Sequence, residues 1–166
     1  MLTLPKIVEY GSRPYVAIPL RVKAQGGVEE AGAKLFAEIW QWVRERGVEP
    51  GGMSFIRYRV IDMKGWLELE FGVSTAKPAE GDGRVVAGAL PAGRYATVSW
   101  TGPYDALLDV NAVLIGWARE KGIRWDVEAR GDGDHFACRY EDYPTDPAAE
   151  PDRSKWVTHV AIRIAD

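Results

Sequence analysis

Leu67-Glu68-Leu69-Glu70-Phe71-Gly72-Val73 alternates apolar and polar positions without a break. That is the period of a strand with one face buried and the other turned toward something polar. Asp62–Gly65 reads as a short turn before it, and Met53 to Ile61 as the strand that pairs with it across that turn. Further upstream, Ala31, Leu35, Ile39 and Trp42 recur at three- and four-residue spacing. This spacing predicts an amphipathic helix from about Val28 to Arg46, with Gly47 as its stop and Pro50-Gly51-Gly52 as a turn. Tyr15 to Val22 supplies a strand ahead of the helix. The order is β-α-β-β.

The remainder of the chain runs through the same order. Arg94 to Trp100 is strand-like, and Gly102-Pro103-Tyr104 opens a helix to about Lys121. Leu107, Val110, Leu114 and Trp117 form that helix's apolar face, and Gly122 ends it. His135 to Tyr140 and Trp156 to Ile164 read as two more strands, separated by a Pro-rich acidic loop from Asp142 to Lys155. Arg57-Tyr58-Arg59 and Arg139-Tyr140-Glu141 occupy equivalent places in the two passes. A duplicated β-α-β-β chain is therefore expected, the first copy at about 1–80 and the second at about 81–166. Val85 to Leu90 is a short extra strand. The expected class is α+β: one antiparallel sheet with both helices on one face and a core shared by the two copies.

Composition removes several function classes. With 21 Lys and Arg against 24 Asp and Glu, the net charge of −3 carries no basic surplus for nucleic acid. No apolar run approaches the about 18 residues of a membrane span. The N-terminal residues lack the pattern of a signal peptide, and the single cysteine, Cys138, has no internal partner, so a cytoplasmic protein is expected. His135 and His159 are too dispersed for a metal site, and no cofactor is expected. Ser54, Ser99 and Cys138 lack an elbow or a partnered base, which argues against a covalent nucleophile. Gly81-x-Gly83 and Gly131-x-Gly133 read as turns, not phosphate loops.

Three segments together resemble the GyrI-like domains, the effector-binding modules of bacterial transcription activators and of their stand-alone relatives. They are Gly102-Pro103-Tyr104 with the helix ending Gly116-Trp117-Ala118-Arg119-Glu120-Lys121-Gly122, the strand Leu67–Val73, and Tyr140-Glu141-Asp142-Tyr143-Pro144-Thr145-Asp146-Pro147. The last is similar to the family's Glu-x-Tyr segment, whose glutamate lies in the ligand pocket. The resemblance covers roughly Tyr15 to Ile164. It implies a pocket on the sheet face away from the helices, where the two copies meet, taking hydrophobic and often cationic small molecules. Some stand-alone members are associated with hydrolysis of cyclopropane-bearing electrophilic toxins and others with gyrase protection. Regulators of the family carry a helix-turn-helix ahead of this module. Strands beginning by Tyr15 leave no room for one here, so direct DNA binding is not expected.

Glu141 is the central candidate. A carboxylate in an aromatic hollow must be paired, hydrogen-bonded or protonated. A cationic ligand would complete the pairing; the alternative is a structural salt bridge to Arg59 or Arg139. In a hydrolase the same glutamate would be the catalytic base. The other candidate ligand contacts are Tyr143, Tyr104, Trp100, Trp66, Tyr58, Arg59 and Glu70. Trp42 and Trp117 fall on helix stripes and read as packing. Assigning Tyr140 to the helix-bearing face sends Arg139 and Glu141 to the opposite face, together with Arg57, Arg59, Glu68 and Glu70. A protein partner such as gyrase remains a third reading.

Overall fold

The computed structural model describes residues 1–166. The first half contains β1 (Lys6–Tyr10), β2 (Arg13–Lys23), α1 (Gly27–Glu45), β3 (Pro50–Ile61) and β4 (Trp66–Thr75). The second contains β5 (Val86–Leu90), β6 (Gly93–Thr101), α2 (Leu107–Glu120), β7 (Val127–Arg130), β8 (Gly133–Phe136), β9 (Arg139–Asp142) and β10 (Val157–Arg163). All pairings are antiparallel, and the main sheet runs β1-β6-β10-β9-β3-β4-β2-β5, with the β7–β8 hairpin set off beside β3. This is the α+β class read from the sequence. The predicted strand from His135 to Tyr140 divides into β8 and β9, and β1 and β7 lie outside the predicted set.

Two short links force the sheet to curl. β1 and β2 stand six strand steps apart in the sheet, yet only Gly11 and Ser12 join them. β5 and β6 also stand six steps apart and are joined by Pro91 and Ala92 alone. Six steps across a flat sheet would span about 29 Å, whereas such a link reaches about 11 Å. The two edges therefore approach one another. Arg13, just past the first link, lies 4.3 Å from the Tyr10 ring centroid and donates to the Tyr140 hydroxyl at 3.0 Å, from β2 across to β9.

The curl gives the sheet two buried faces. Inside it, Tyr15 and Phe55 of the first half meet Tyr95 and Tyr140 of the second in a chain of edge-to-face contacts at 5.2–6.2 Å. On the outer face each helix covers its own cluster. Leu35, Ile39 and Val43 of α1 pack on Val16, Ile18, Leu69, Phe71 and Val73. Val110, Leu114 and Ala118 of α2 face Ala96, Val98, Val160 and Ile162. The core shared between the halves is thus the inner one. The α1 stripe is fully buried through Val43, and Trp42 packs half-buried at its edge, its indole donating to Asp82 at 2.8 Å.

Packing inside the curl is tight enough to dictate glycine at position 72. A Cβ there would lie 2.5 Å from the Phe55 ring, and Phe55 is fully buried with no room to move.

Candidate functional site

Glu141 lies at the seam between the halves. β9 carries it, and its partner across the seam is Ile56 on β3. Ile56 and Val160, its neighbours on either side, both belong to helix-covered clusters. The carboxylate consequently points to the helix-bearing face. This corrects the strand-parity expectation: Tyr140 is the residue that turns into the curl, with Phe55 and Tyr95. The physical reason is that both faces of this sheet bury large aromatics, so alternation identifies opposite faces without saying which one the helices cover.

The Glu141 side chain is only 6% exposed and is held by three neutral donors. Tyr58 on β3 donates at 3.0 Å and Tyr143, just past β9, at 2.6 Å, both to Oε2. Asn111 on α2 donates through Nδ2 to Oε1 at 2.9 Å. Burial, then the neighbouring carboxylate, pushes both phenols well above their ordinary value, so each remains an O–H donor at neutral pH. A buried carboxylate with three good donors retains much of what water would have given it.

Neither salt bridge considered for Glu141 is made directly. Arg59 pairs with Glu70 at 3.6 Å on the other side of the sheet. Arg139 donates to Asn111 Oδ1 at 2.9 Å, so a single amide stands between guanidinium and carboxylate. The orientation of that amide is forced, because Arg can only donate and an ionised carboxylate can only accept. The second Nδ2 proton goes to the Leu107 carbonyl one turn back, at 2.9 Å.

An aromatic row crosses this face. Phe36 on α1 contacts Phe71 at 5.5 Å and Tyr143 at 5.9 Å. Tyr143 meets Tyr104 at 5.5 Å, and Tyr104 meets Trp156 at 4.7 Å. Trp40 donates to the Ser54 hydroxyl at 3.0 Å, and Ser54 accepts the Tyr143 backbone N–H at 2.8 Å, which ties α1 to the same corner. In this state the tyrosine hydroxyls close over the carboxylate. Two surface hollows lie elsewhere, one of about 610 Å³ where α1 begins and one of about 390 Å³ beside Arg59, Glu68 and Glu70.

Of the residues chosen from sequence, Glu141, Tyr58 and Tyr143 meet directly, and Tyr104 joins through Tyr143. Trp100 packs with the α2 cluster, and its indole donates to the Pro103 carbonyl at 3.0 Å. Trp66 stands on the surface beneath Arg21, away from this cluster. Arg59 and Glu70 belong to a separate network on the opposite face, where Tyr15 donates to Glu70 at 2.5 Å and Arg57 donates to the Tyr15 hydroxyl at 2.8 Å. The sequence reading passed over Asn111, Arg139 as its partner, and Phe36, and left Trp156 open between ligand cover and core plug. Asn111 carried a signal: it is a polar residue inside the apolar stripe Leu107, Val110, Leu114, and a buried amide needs partners.

The fold is shared with several solved structures. The crystal structure of the EcmrR C-terminal domain superposes with a TM-score of 0.78 at 18% identity, over 98% of this chain and 98% of that one. In the EcmrR–DNA complex the same match, again at 0.78 and 18%, covers 98% of this chain but 57% of that chain, so this chain spans little more than half of that regulator. SAV2435, solved bound to tetraphenylphosphonium, matches at 0.63 and 10% identity over 98% and 94% of the two chains. A hydrolase from Listeria innocua matches at 0.61 and 12% over 97% and 91%. No curated protein matches the chain in sequence. Residues 4–165 match the family model of the GyrI-like small molecule binding domain, and the chain belongs to that family.

Proposed function

We propose that this protein binds and sequesters hydrophobic small molecules at the seam between its two helices, with Glu141 as the polar anchor and the row Phe36, Tyr143, Tyr104, Trp156 as the apolar wall. The observation that carries the reading is the 6%-exposed Glu141 carboxylate gathered by Tyr58, Tyr143 and Asn111 where the two halves join. A ligand enters by displacing one tyrosine hydroxyl and offering its own donor or positive edge to Oε2. Family membership supports a small-molecule ligand, and so does the tetraphenylphosphonium found on SAV2435, a protein of the same fold.

The test is a tryptophan-fluorescence titration with a panel of lipophilic probes, charged and uncharged. Trp40 and Trp156 border the cluster and report occupancy. Saturable quenching that weakens about tenfold in Glu141→Gln supports the reading, an anchoring hydrogen bond to a charged group contributing about 1.5–3 kcal/mol. A panel that never perturbs the fluorescence overturns it.

One observation favours a second reading, a hydrolase of cyclopropane-bearing electrophiles. Glu141 and the Tyr143 hydroxyl stand 2.6 Å apart, a general base beside a phenol that burial keeps protonated. Glu141 would take a proton from the attacking water as the water oxygen bonds a ring carbon and the strained C–C bond breaks. The phenol, turned from Glu141, would give its proton to the leaving carbon or its conjugated oxygen and regain one from Glu141. Mass spectrometry separates the two readings: sequestration returns the probe unchanged, and hydrolysis returns a product heavier by one water, absent in Glu141→Gln.

A further inference from the structure

We infer that Arg139, acting through Asn111, sets the charge preference of this site and turns it toward uncharged ligands. The inference rests on the proposed binding site and names its ligand class. A lone buried carboxylate would draw in a cation to complete its pairing. Here an internal cation is already supplied. Arg139 and Glu141 project from the same strand, two residues apart, on the same face. Asn111 bridges them with two hydrogen bonds of 2.9 Å.

The guanidinium is fixed in place. Its plane lies over the Phe136 ring, 5.0 Å from the centroid, and one Nη2 proton is committed to Asn111. The Asn111 amide is locked in turn by Leu107. Burial disfavours the charge on Arg139, and Glu141 is the largest influence restoring it. The two charges therefore stabilise each other. A monovalent cation docking on Glu141 would leave the cluster with a net positive charge inside an aromatic enclosure. An uncharged ligand with one hydrogen-bond donor leaves it neutral. A hydroxyl or N–H replacing the Tyr143 or Tyr58 hydroxyl on Oε2 satisfies the carboxylate without adding charge.

The experiment compares two probes of equal shape by tryptophan quenching: a naphthyl-ethyl trimethylammonium ion and its carbon isostere, in which a tert-butyl group replaces the ammonium. An uncharged naphthyl alcohol serves as a third, donor-bearing probe. Wild-type protein is expected to bind the alcohol best and the cation no better than the isostere. Arg139→Gln is expected to raise cation affinity about tenfold while changing the two uncharged probes by less than about threefold, since one screened unit charge at this range acts on a charged ligand alone. Arg139→Lys keeps the charge and should keep the wild-type ratio, which a merely structural role would not require. Arg139→Met removes the same charge with an apolar stem of similar length and gives an independent reading of the same ratio should Arg139→Gln fold poorly. If Arg139→Gln leaves the cation-to-neutral ratio unchanged while all probes still bind, the inference is wrong and the binding site stands. If no probe binds any variant, the site itself fails and the inference with it.

Discussion

Glu70 and Glu141 are anchored on opposite faces of one sheet, though both are glutamates buried among tyrosines. Glu70 accepts from Tyr15 on the inner face and pairs with Arg59. Glu141 accepts from Tyr58 and Tyr143 under the helices. Strand alternation assigned them to one cavity; their registers place them in two separate networks. The functional expectation is a split. Glu70→Gln should leave probe affinity within about twofold of wild type, and Glu141→Gln should weaken it about tenfold. Equal losses in both variants would show that the inner network shapes the site.

Stability should distinguish the loss of charge at Glu141 from the loss of an acceptor. Glu141→Ala strands three donors, Tyr58, Tyr143 and Asn111, in a buried setting. Its cost is expected at about 3–5 kcal/mol, since Arg139 also loses its counter-charge. Glu141→Gln loses that charge too but retains an acceptor oxygen, and should cost about 1 kcal/mol less. Urea denaturation at neutral pH measures both. Equal costs would mean that the donors find other partners.

The next residue along β9, Asp142, gives a pH signature. Burial raises the Asp142 carboxyl from 3.8 to about 6, with Arg13 pulling the other way, and its Oδ1 has no hydrogen-bond partner. Between those values the folded chain binds a proton that the unfolded chain has lost, so stability falls as pH rises from about 4 to about 6. Asp142→Asn removes the titrating group. It should stabilise the protein by about 1–3 kcal/mol at pH 7 and by little below pH 4. Thermal melts across that range should show the gap between variant and wild type closing on the acid side; a constant gap would contradict the assignment.

Gly72→Ala tests the inner core. The added methyl meets the fully buried Phe55 ring, which is held between Tyr15 and Tyr140. Overpacking of this kind costs about 1–3 kcal/mol, and Phe55→Leu in the same chain should recover part of it. A Gly72→Ala protein as stable as wild type would mean that the ring is freer than its surroundings suggest.

Much of this was legible in the sequence, for identifiable reasons. Leu67 to Val73 announces its strand because period-two alternation is a local property. The two helices show themselves through spacing and through Gly47 and Gly122, which stop them. Glu141, Tyr58 and Tyr143 were reachable because they sit on, or just beyond, recognisable strands. What stayed hidden was non-local. The face that Glu141 uses depends on the curl, and the curl depends on where β1 and β5 pair. No pattern within Lys6–Tyr10 reveals that its partner is β6, some ninety residues away. Asn111 was overlooked for a similar reason: its role needs Glu141 and Arg139 delivered by another element. Val43 was missed beside Trp42 because the apolar face of α1 is wide enough to pack both neighbours, one fully and one at its edge.

The position of β10 bears on how the molecule assembles. This last strand lies between β6 and β9, so the second half of the sheet has no continuous ladder until it arrives. The leading strands compound the dependence: β1 opens the chain yet borders β6, and β5 borders β2. A nascent polypeptide leaving the ribosome holds an unfinished sheet until Val157–Arg163 slot into the gap. Such late, long-distance zippering is slow, and a stalled or clipped product would expose β6 and β9 as bare edges open to another chain.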